Sequence, residues 1–280
     1  MCAERKREAQ PVGFITGASG GIGAATAKLL LDRGHRLYCS SRDAARLTSL
    51  AMRGATALEL DLTDSTSIRQ CADVLLERED RLDYLVNNAG AGCYGILEAA
   101  PLSLARRQFD VNFFGPLHLT QLLLPLLRRA VHGRVVAVSS AASSVPLPAA
   151  GLYCASKAAG EAAMEVLRLE LEATCNVSVI VVVPRAVKTM FGQHALASLD
   201  AHPGGELYRD VYRAAHEVVR RRLILGDGAL PPGDVADAIV AAILSSRPRR
   251  FYYVPRVSAT RMPFARPFFI RRLRRMLKNW

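Results

Sequence analysis

The chain has 280 residues, half of them hydrophobic and 22% charged. That is enough apolar material for a sizeable core and excludes a wholly disordered chain. The formal charge of +12 is uneven: residues 247–280 hold eleven of the 37 basic residues and no acidic one, which leaves 26 basic against 25 acidic residues over 1–246. Any partner argued from charge therefore concerns the tail and not the body. Six cysteines (Cys2, Cys39, Cys71, Cys93, Cys154, Cys175) form no C-x-x-C pair and no metal-ligand spacing with His, so reduced thiols in a reducing compartment, and no metal, are expected. The polar start Glu4-Arg5-Lys6-Arg7-Glu8 lacks the apolar segment of a secretory signal, and no apolar run reaches about 18 residues, so neither a signal nor a membrane-spanning helix is expected.

In chain order, Val12–Thr16 reads as a strand, Gly21–Arg33 as a helix, Arg36–Ser40 as a strand, Asp43–Ala51 as a helix and Ala55–Leu60 as a strand. Asp64 is placed to cap the helix that follows, because its carboxylate can accept from the first free N–H groups. Leu82–Val86 is a fourth strand. A long helical region spans Leu102–Arg129, with Pro116 and Pro125 expected to bend or interrupt it. Arg134–Ser139 is a fifth strand and Leu152–Thr174 a long helix. Val177–Val183 is a nearly continuous β-branched run, the mark of a strand covered on both faces. Residues 189–222 look polar and irregular, Pro231-Pro232-Gly233 punctuates the chain, Asp234–Leu244 is a last helix and Phe251–Val254 a last strand. This alternation predicts an α/β fold: a single domain with a doubly wound parallel sheet over residues 11–254, preceded by a polar extension (1–10) and followed by a basic tail (255–280).

Thr16-Gly17-Ala18-Ser19-Gly20-Gly21-Ile22-Gly23 lies between the first strand and the first helix. Glycines here let the backbone approach a pyrophosphate closely, and the helix start offers free N–H groups and a favourable dipole. Such a turn alone also fits a plain strand–helix connection. The strand before it and the helix after it are the context that a dinucleotide site requires.

The spacing is G-x-x-x-G-x-G, and the rest of the chain extends the pattern: Asp61-Leu62 after the third strand, Asn87-Asn88-Ala89-Gly90 after the fourth, Asn112 in the following helix, Ser140 after the fifth strand, Tyr153-Cys154-Ala155-Ser156-Lys157, and Pro184-Arg185-Ala186-Val187-Lys188-Thr189. In this order the motifs resemble the short-chain dehydrogenase/reductase family over residues 16–189. The weaker features around Tyr153 and towards the C-terminus resemble its steroid, retinol and acyl-glycerone-phosphate reductases.

The resemblance implies a Rossmann fold and an enzyme that moves a hydride between a nicotinamide cofactor and a carbonyl or alcohol. It implies cofactor contacts from Thr16, Gly17, Ser19, Gly21, Ile22, Gly23, Asp61, Leu62, Asn88, Ala89, Gly90, Pro184, Val187 and Thr189. It assigns catalysis to Asn112, Ser140, Tyr153 and Lys157, with Ser140 on the substrate oxygen, Lys157 on the nicotinamide ribose and Asn112 holding a water beside Lys157. Tyr153 and Lys157 are four residues apart and share a helix face. An adjacent ammonium favours a phenolate, so Tyr153 is expected to have a lowered pKa and to act as general acid/base. Each residue alone has an ordinary reading, as a surface pair, loop serine or polar helix residue. The ordered set is what points to catalysis. Arg185 stands where the family has Gly, and is expected to be strained if that backbone needs a positive φ.

NAD users carry an acidic residue at the end of the second strand, on the ribose 2′-hydroxyl. Here Ser41 and Arg42 follow that strand, removing the repulsion and supplying a fork-shaped partner for a 2′-phosphate. NADP(H) is therefore expected over NAD(H), although Arg42 also fits a solvated loop residue. The segment 190–222 is read as a substrate loop whose Met190, Phe191, Leu196, Leu199 and Tyr208 join Val145, Leu147 and Leu152 in an apolar pocket for a lipophilic carbonyl or alcohol. A ketoreductase acting on a polyketide-like biosynthetic intermediate, or a non-catalytic NADP(H) sensor or scaffold, are the other functions weighed. In the tail, Phe269, Leu273, Met276, Leu277 and Trp280 recur at helical spacing against Arg271, Arg272, Arg274, Arg275 and Lys278. That pattern fits a helix packed on the body or on a sister subunit, or one lying on an anionic membrane surface. No nucleic-acid-reading motif accompanies the charge. A homo-oligomer (dimer or tetramer) and a cytoplasmic location, with possible peripheral membrane contact, complete the expectations.

Overall fold

The computed structural model describes residues 10–255. The readings made for the N-terminal extension and for the basic tail lie outside these residues. The chain order is β1 (Val12–Ile15), α1 (Gly21–Leu31), β2 (Arg36–Ser41), a 3-10 turn (Ala44–Leu47) running into α2 (Thr48–Ala51), β3 (Thr56–Glu59), α3 (Ser65–Arg78), β4 (Tyr84–Asn87), α4 (Leu102–Phe109), a π-helical turn (Asp110–Phe114), α5 (Gly115–Arg129), β5 (Gly133–Val138), α6 (Gly151–Glu172), β6 (Val177–Pro184), α7 (Phe191–Ala201), α8 (Arg209–Val219), a second π-helical turn (Arg220–Leu225), α9 (Pro232–Leu244) and β7 (Phe251–Val254). The seven strands form one sheet in the order β3-β2-β1-β4-β5-β6-β7, and every pair is parallel. The order reverses between β1 and β4, so a crevice opens beyond the carboxyl ends of these strands, where α/β sheets bind ligands.

The central strands β1, β4, β5 and β6 are largely apolar because helices cover both faces. One core packs β1, β2, β5 and β6 residues such as Ile15, Cys39, Val136 and Ile180 against Leu30 of α1 and Ile239 of α9. The opposite core sets Phe14, Leu85, Val135 and Val181 against Leu75, Leu123 and Met164 of α3, α5 and α6. Asp64 caps α3 as predicted, accepting from Thr66 N–H at 2.8 Å. At the far end of the sheet the buried Arg134 of β5 donates to Ile243 O at 3.0 Å, Ser245 O at 2.6 Å and Ser178 Oγ at 3.3 Å. It thereby satisfies carbonyls at the carboxyl end of α9 that no helical N–H reaches.

Two expectations are corrected. The region 102–129 is not broken at its prolines. Pro116 sits in the first turn of α5, where its missing N–H is harmless, and Pro125 is carried inside the helix. The irregularity is instead the π turn at Asp110–Phe114. The segment 190–222 is not irregular: α7, α8 and the second π turn fold into a helical lid with its own small core. Its polarity came from the solvent face of α8 and the π turn after it, whose arginines pair with nearby acids (Arg209 with Glu206, Arg220 with Glu217).

Candidate active site

The glycine loop is shaped by what crowds it. A Cβ at Gly23 would stand 2.5 Å from Gly17 O and 2.6 Å from Asn88 Nδ2. One at Gly17, where φ is +67°, would meet Ala89 Cα at 2.8 Å, and one at Gly21, at φ +54°, would meet Thr189 Cγ2 at 2.9 Å. The loop is thus pressed against the Asn88-Ala89 turn and against Thr189. Thr16 fastens it. Its buried hydroxyl accepts from Asn88 N at 3.1 Å and Ala89 N at 3.0 Å, while Asn88 Nδ2 donates to Thr16 O at 2.8 Å. No side chain caps α1 at Gly20, which leaves the first-turn N–H groups of α1, around Ile22 and Gly23, for an anion. Ser19 and Ile22 are half-buried at the loop's edge. The loop, which a Cβ at Gly17, Gly21 or Gly23 would push out of shape, fits a dinucleotide pyrophosphate.

Further along the crevice, Ser41 ends β2 and is buried, while Arg42 is exposed beside it. Asp61 accepts from Thr63 N at 2.9 Å and Thr63 Oγ1 at 2.8 Å. Partial burial pushes the Asp61 carboxyl up, but these two hydrogen bonds, with Arg42 and Arg107 nearby, outweigh it and hold the pKa below the usual range. Leu62 is buried, and its carbonyl is covered by Gly115, where a Cβ would come within 2.3 Å. Asp61, Leu62, Ser41 and Arg42 therefore share one end of the crevice. At the other end, Pro184 closes β6, Val187 is buried and bridges to Leu230, and Thr189 lies against Gly21. Arg185 is exposed, donates its N–H to Val254 O at 3.0 Å and has no positive φ. The expected strain is absent because this position, bonded to the end of β7, lies outside the positive-φ region.

The four residues assigned to catalysis converge at the carboxyl ends of β4 and β5. Tyr153 and Ser156–Lys157 project from the first turns of α6. Ser140 accepts from Ala142 N at 3.2 Å and hydrogen-bonds the Tyr153 phenol. Lys157 donates to Val138 O at 2.9 Å, and its Nζ stands 6.0 Å from the Tyr153 ring centre. The expected lowering of Tyr153 is not found here. Burial pushes the phenol up to about 12, only partly opposed by Ser140, and burial brings Lys157 down to about 8. Lys157 aims at a backbone carbonyl, and desolvation penalises both charged forms. The phenol is accordingly held protonated at neutral pH.

Asn112 lies on the π turn, which rotates its amide inward. It accepts from Ala91 N at 2.9 Å and donates to Ala91 O and to Ser156 Oγ, each at 3.0 Å. A Cβ at Gly90 would come within 3.4 Å of Asn112 Oδ1 and 3.5 Å of Lys157 Nζ, so Gly90 keeps this corner open. Sequence reasoning missed Gln108, which is fully buried one turn earlier. It accepts from Cys93 N at 2.7 Å and donates to Ala91 O at 2.8 Å. The signal was a polar pair four residues apart in an otherwise amphipathic helix.

Above Tyr153 lies an aromatic cover. The Phe191 and Tyr94 rings stand 5.3 and 5.8 Å from the Tyr153 ring and 6.3 Å from each other. Tyr94 was not foreseen. Of the expected pocket residues, Phe191, Leu147, Leu196, Leu199 and Tyr208 do join the lid core, whereas Met190 points to solvent. Ala149, at φ +58°, is the one non-glycine residue with positive φ among the described residues, and its carbonyl accepts from Gly95 N. Beside it opens a groove of about 490 Å³, walled mostly by apolar residues (Ile96, Leu97, Pro148, Val211) together with Glu98 and Tyr208.

Comparison with known proteins agrees with this geometry. The family profile described as short chain dehydrogenase matches residues 11–199. Human retinol dehydrogenase 8 is 32% identical over 252 residues, covering 84% of this chain and 78% of its own. A 3-ketodihydrosphingosine reductase of Bacteroides thetaiotaomicron is 36% identical over 178 residues, 64% of either chain. A short chain dehydrogenase/reductase from Burkholderia phymatum, solved in complex with NAD, superposes with a TM-score of 0.76 at 26% identity, over 88% of this chain and 89% of that one. With its parallel sheet, its glycine loop and its clustered Ser140, Tyr153 and Lys157, the chain belongs to the short-chain dehydrogenase/reductase family and is a nicotinamide-dependent oxidoreductase.

Proposed function

We propose that the protein reduces a lipophilic ketone or aldehyde with NADPH, Tyr153 giving the proton. The observation that carries this reading is the buried Tyr153 phenol beside Ser140, covered by the Phe191 and Tyr94 rings. The cofactor, when bound, supplies the hydride to the carbonyl carbon. Ser140 donates to the carbonyl oxygen and stabilises its developing charge. As the C–O π electrons move onto oxygen, the Tyr153 O–H bond breaks and the proton passes to that oxygen, leaving the alcohol. Lys157, with its pKa near 8, sits close enough to neutrality to restore the proton. Phe191 and Tyr94 exclude water from the reacting oxygen, which strengthens these hydrogen bonds.

The lid and the groove favour an apolar substrate. The retinol and ketodihydrosphingosine named for two relatives are substrates of that kind. Preference for NADPH rests on Ser41 and Arg42, and the proposed assignment of Asp61 and Leu62 to the adenine rests on their match to the family's position after β3. The test is cofactor oxidation followed by its absorbance with a panel of retinoids, steroids and long-chain ketones. Turnover that vanishes in Tyr153→Phe, with NADPH binding kept, is expected. Near-normal activity in that variant would refute the assignment. An oligomer, and membrane contact through the tail, stay as proposals for which light scattering and vesicle binding of a chain cut at residue 261 are the measurements.

A further inference from the structure

The strap that follows β4 serves two places. Its Tyr94 ring stands 5.8 Å from that of Tyr153, while Ile96, Leu97 and Glu98 line the groove of about 490 Å³. The strap is pinned on both sides: Gly95 N donates to Ala149 O at 2.8 Å, and Ile96 N to His202 O, just past α7, at 3.2 Å. Gly204, at φ +81°, lets the lid close up on the strap, because a Cβ there would meet Ile96 Cβ at 2.7 Å. The groove is therefore a built cleft with three walls: the strap, the Pro148-Ala149 corner before α6, and Tyr208 and Val211 at the start of α8. Its two polar side chains answer each other, the Tyr208 phenol donating to the Glu98 carboxylate. That clasp ties strap to lid, so what the walls offer a ligand is mainly hydrocarbon. One apolar cluster joins Tyr94, Ile96, Ala149 and Tyr153 with Tyr208 and Val211, so groove and reaction centre are continuous. Over Tyr153 the Tyr94 and Phe191 rings are 6.3 Å apart and touch the phenol ring. A fused-ring skeleton would have to displace both, whereas a single chain needs only one of them to turn.

We propose that the groove seats the far end of an unbranched alkyl chain, that the preferred substrates are long straight-chain ketones or aldehydes, and that the Glu98–Tyr208 clasp sets the width of the seat. The groove's volume lies within the range of about 300–1,000 Å³ that small-molecule sites use. A fully buried methylene improves binding by about fourfold. In a groove open to solvent, where Leu97 stays 61% exposed, about twofold per methylene is expected. Glu98 and Tyr208 act here as positioning residues: they hold the two walls and leave the reacting carbonyl to Ser140 and Tyr153.

The inference rests on the reading of Tyr153 as proton donor to a lipophilic carbonyl, and separate variants test the two. The measurement is kcat/KM with NADPH for straight-chain 2-ketones of rising length, beside a steroid ketone. It should climb about twofold per added methylene and level off once the groove is filled. V211W, which fills the groove, should cut the ratio of kcat/KM for the longest chain to that for the shortest by about tenfold, the worth of three or four methylenes. L97W, on the opposite and exposed wall, repeats the test if V211W disturbs the lid. Y208F breaks the clasp and should lower the same ratio by about threefold, while E98Q, which still accepts from Tyr208, should keep it. A flat length series, no turnover with any chain, or a steroid ketone preferred to every chain overturns the seat. So does a ratio in both V211W and L97W like that of the unaltered enzyme. If Y153F retains turnover, the underlying reading falls. If Y153F is inactive while the unaltered enzyme treats all chain lengths alike, the seat alone falls.

Discussion

Replacing Gly23 by alanine isolates the cofactor cradle. Gly23 has an ordinary helical backbone, so on propensity alone alanine should stabilise α1 by about 0.5–1 kcal/mol. The added methyl would instead stand 2.5 Å from Gly17 O, 2.6 Å from Asn88 Nδ2 and 3.0 Å from Ala18 Cα. None of these can yield easily: Asn88 is tied to Thr16 O at 2.8 Å and Gly17 O at 3.2 Å, and Thr16 is tied back to Asn88 and Ala89. Overpacking of this kind costs about 1–3 kcal/mol. If the loop springs outward, that cost falls on the binding-competent shape, and NADPH affinity drops by about 5- to 150-fold. Gly20→Ala is the control, because Gly20 is extended and a Cβ there meets nothing within 4 Å. Titration of NADPH by protein fluorescence, with a thermal melt of each variant, measures both effects. Gly23→Ala binding as tightly as the unaltered chain, with no loss in Tm, would refute the reasoning.

Four further outcomes are expected. Arg134→Met strands the Ile243 and Ser245 carbonyls and should cost about 2–4 kcal/mol in urea unfolding; a change under about 0.5 kcal/mol would contradict the clip to α9. Phe191→Ala uncovers Tyr153 and should raise KM for a lipophilic carbonyl by about tenfold, since a lost buried ring contact is worth more than 1.4 kcal/mol; an unchanged KM would remove Phe191 from the pocket. Arg42→Ala should weaken NADPH by about 10- to 100-fold and leave NADH unaffected, the loss expected for one charge-assisted contact; equal losses for both would refute the 2′-phosphate role. Folding lowers Lys157 to about 8 and raises Tyr153 to about 12. Lys157 therefore opposes folding below pH 8, an opposition relieved as pH rises from 8 towards the unfolded value near 10.5. The Tyr153 contribution is present below about 10 and lost between 10 and 12. Stability relative to Lys157→Met should thus climb between pH 8 and 10, and a flat difference in the melts would contradict the burial of that ammonium.

Much of the fold could be read in advance because periodicity and punctuation carry it. The β-branched run Val177–Val183 announced a strand buried on both faces, and Asp64 announced its helix. The motif residues came together as expected because most sit at strand ends, where the crevice gathers them, while the π turn brings Asn112 and the first turns of α6 bring Tyr153 and Lys157 to the same place. What escaped was tertiary. The polar face of α8 masked an amphipathic lid whose apolar side meets Leu199 and Tyr208. The direction of the Tyr153 shift depends on how completely Tyr94 and Phe191 bury it, and no spacing in the chain states that. Gln108 shows in the sequence only as half of a polar pair with Asn112, and its burial appears only once α4 is packed.

The π turn at Asp110–Phe114 also sets a rule for chain length. One surplus residue there lets α4 and α5 run on as one rod while offset in phase, so that Gln108 and Asn112 both grip Ala91. Deleting a single residue within it would heal the helix and improve its backbone bonding. It would also swing α4 by about a quarter turn relative to α5, since each residue advances an α-helix by 100°. A shortened chain of that kind would keep its helix content and lose the clamp on residues 91–93, so this stretch should tolerate substitutions far better than it tolerates a change in the number of residues.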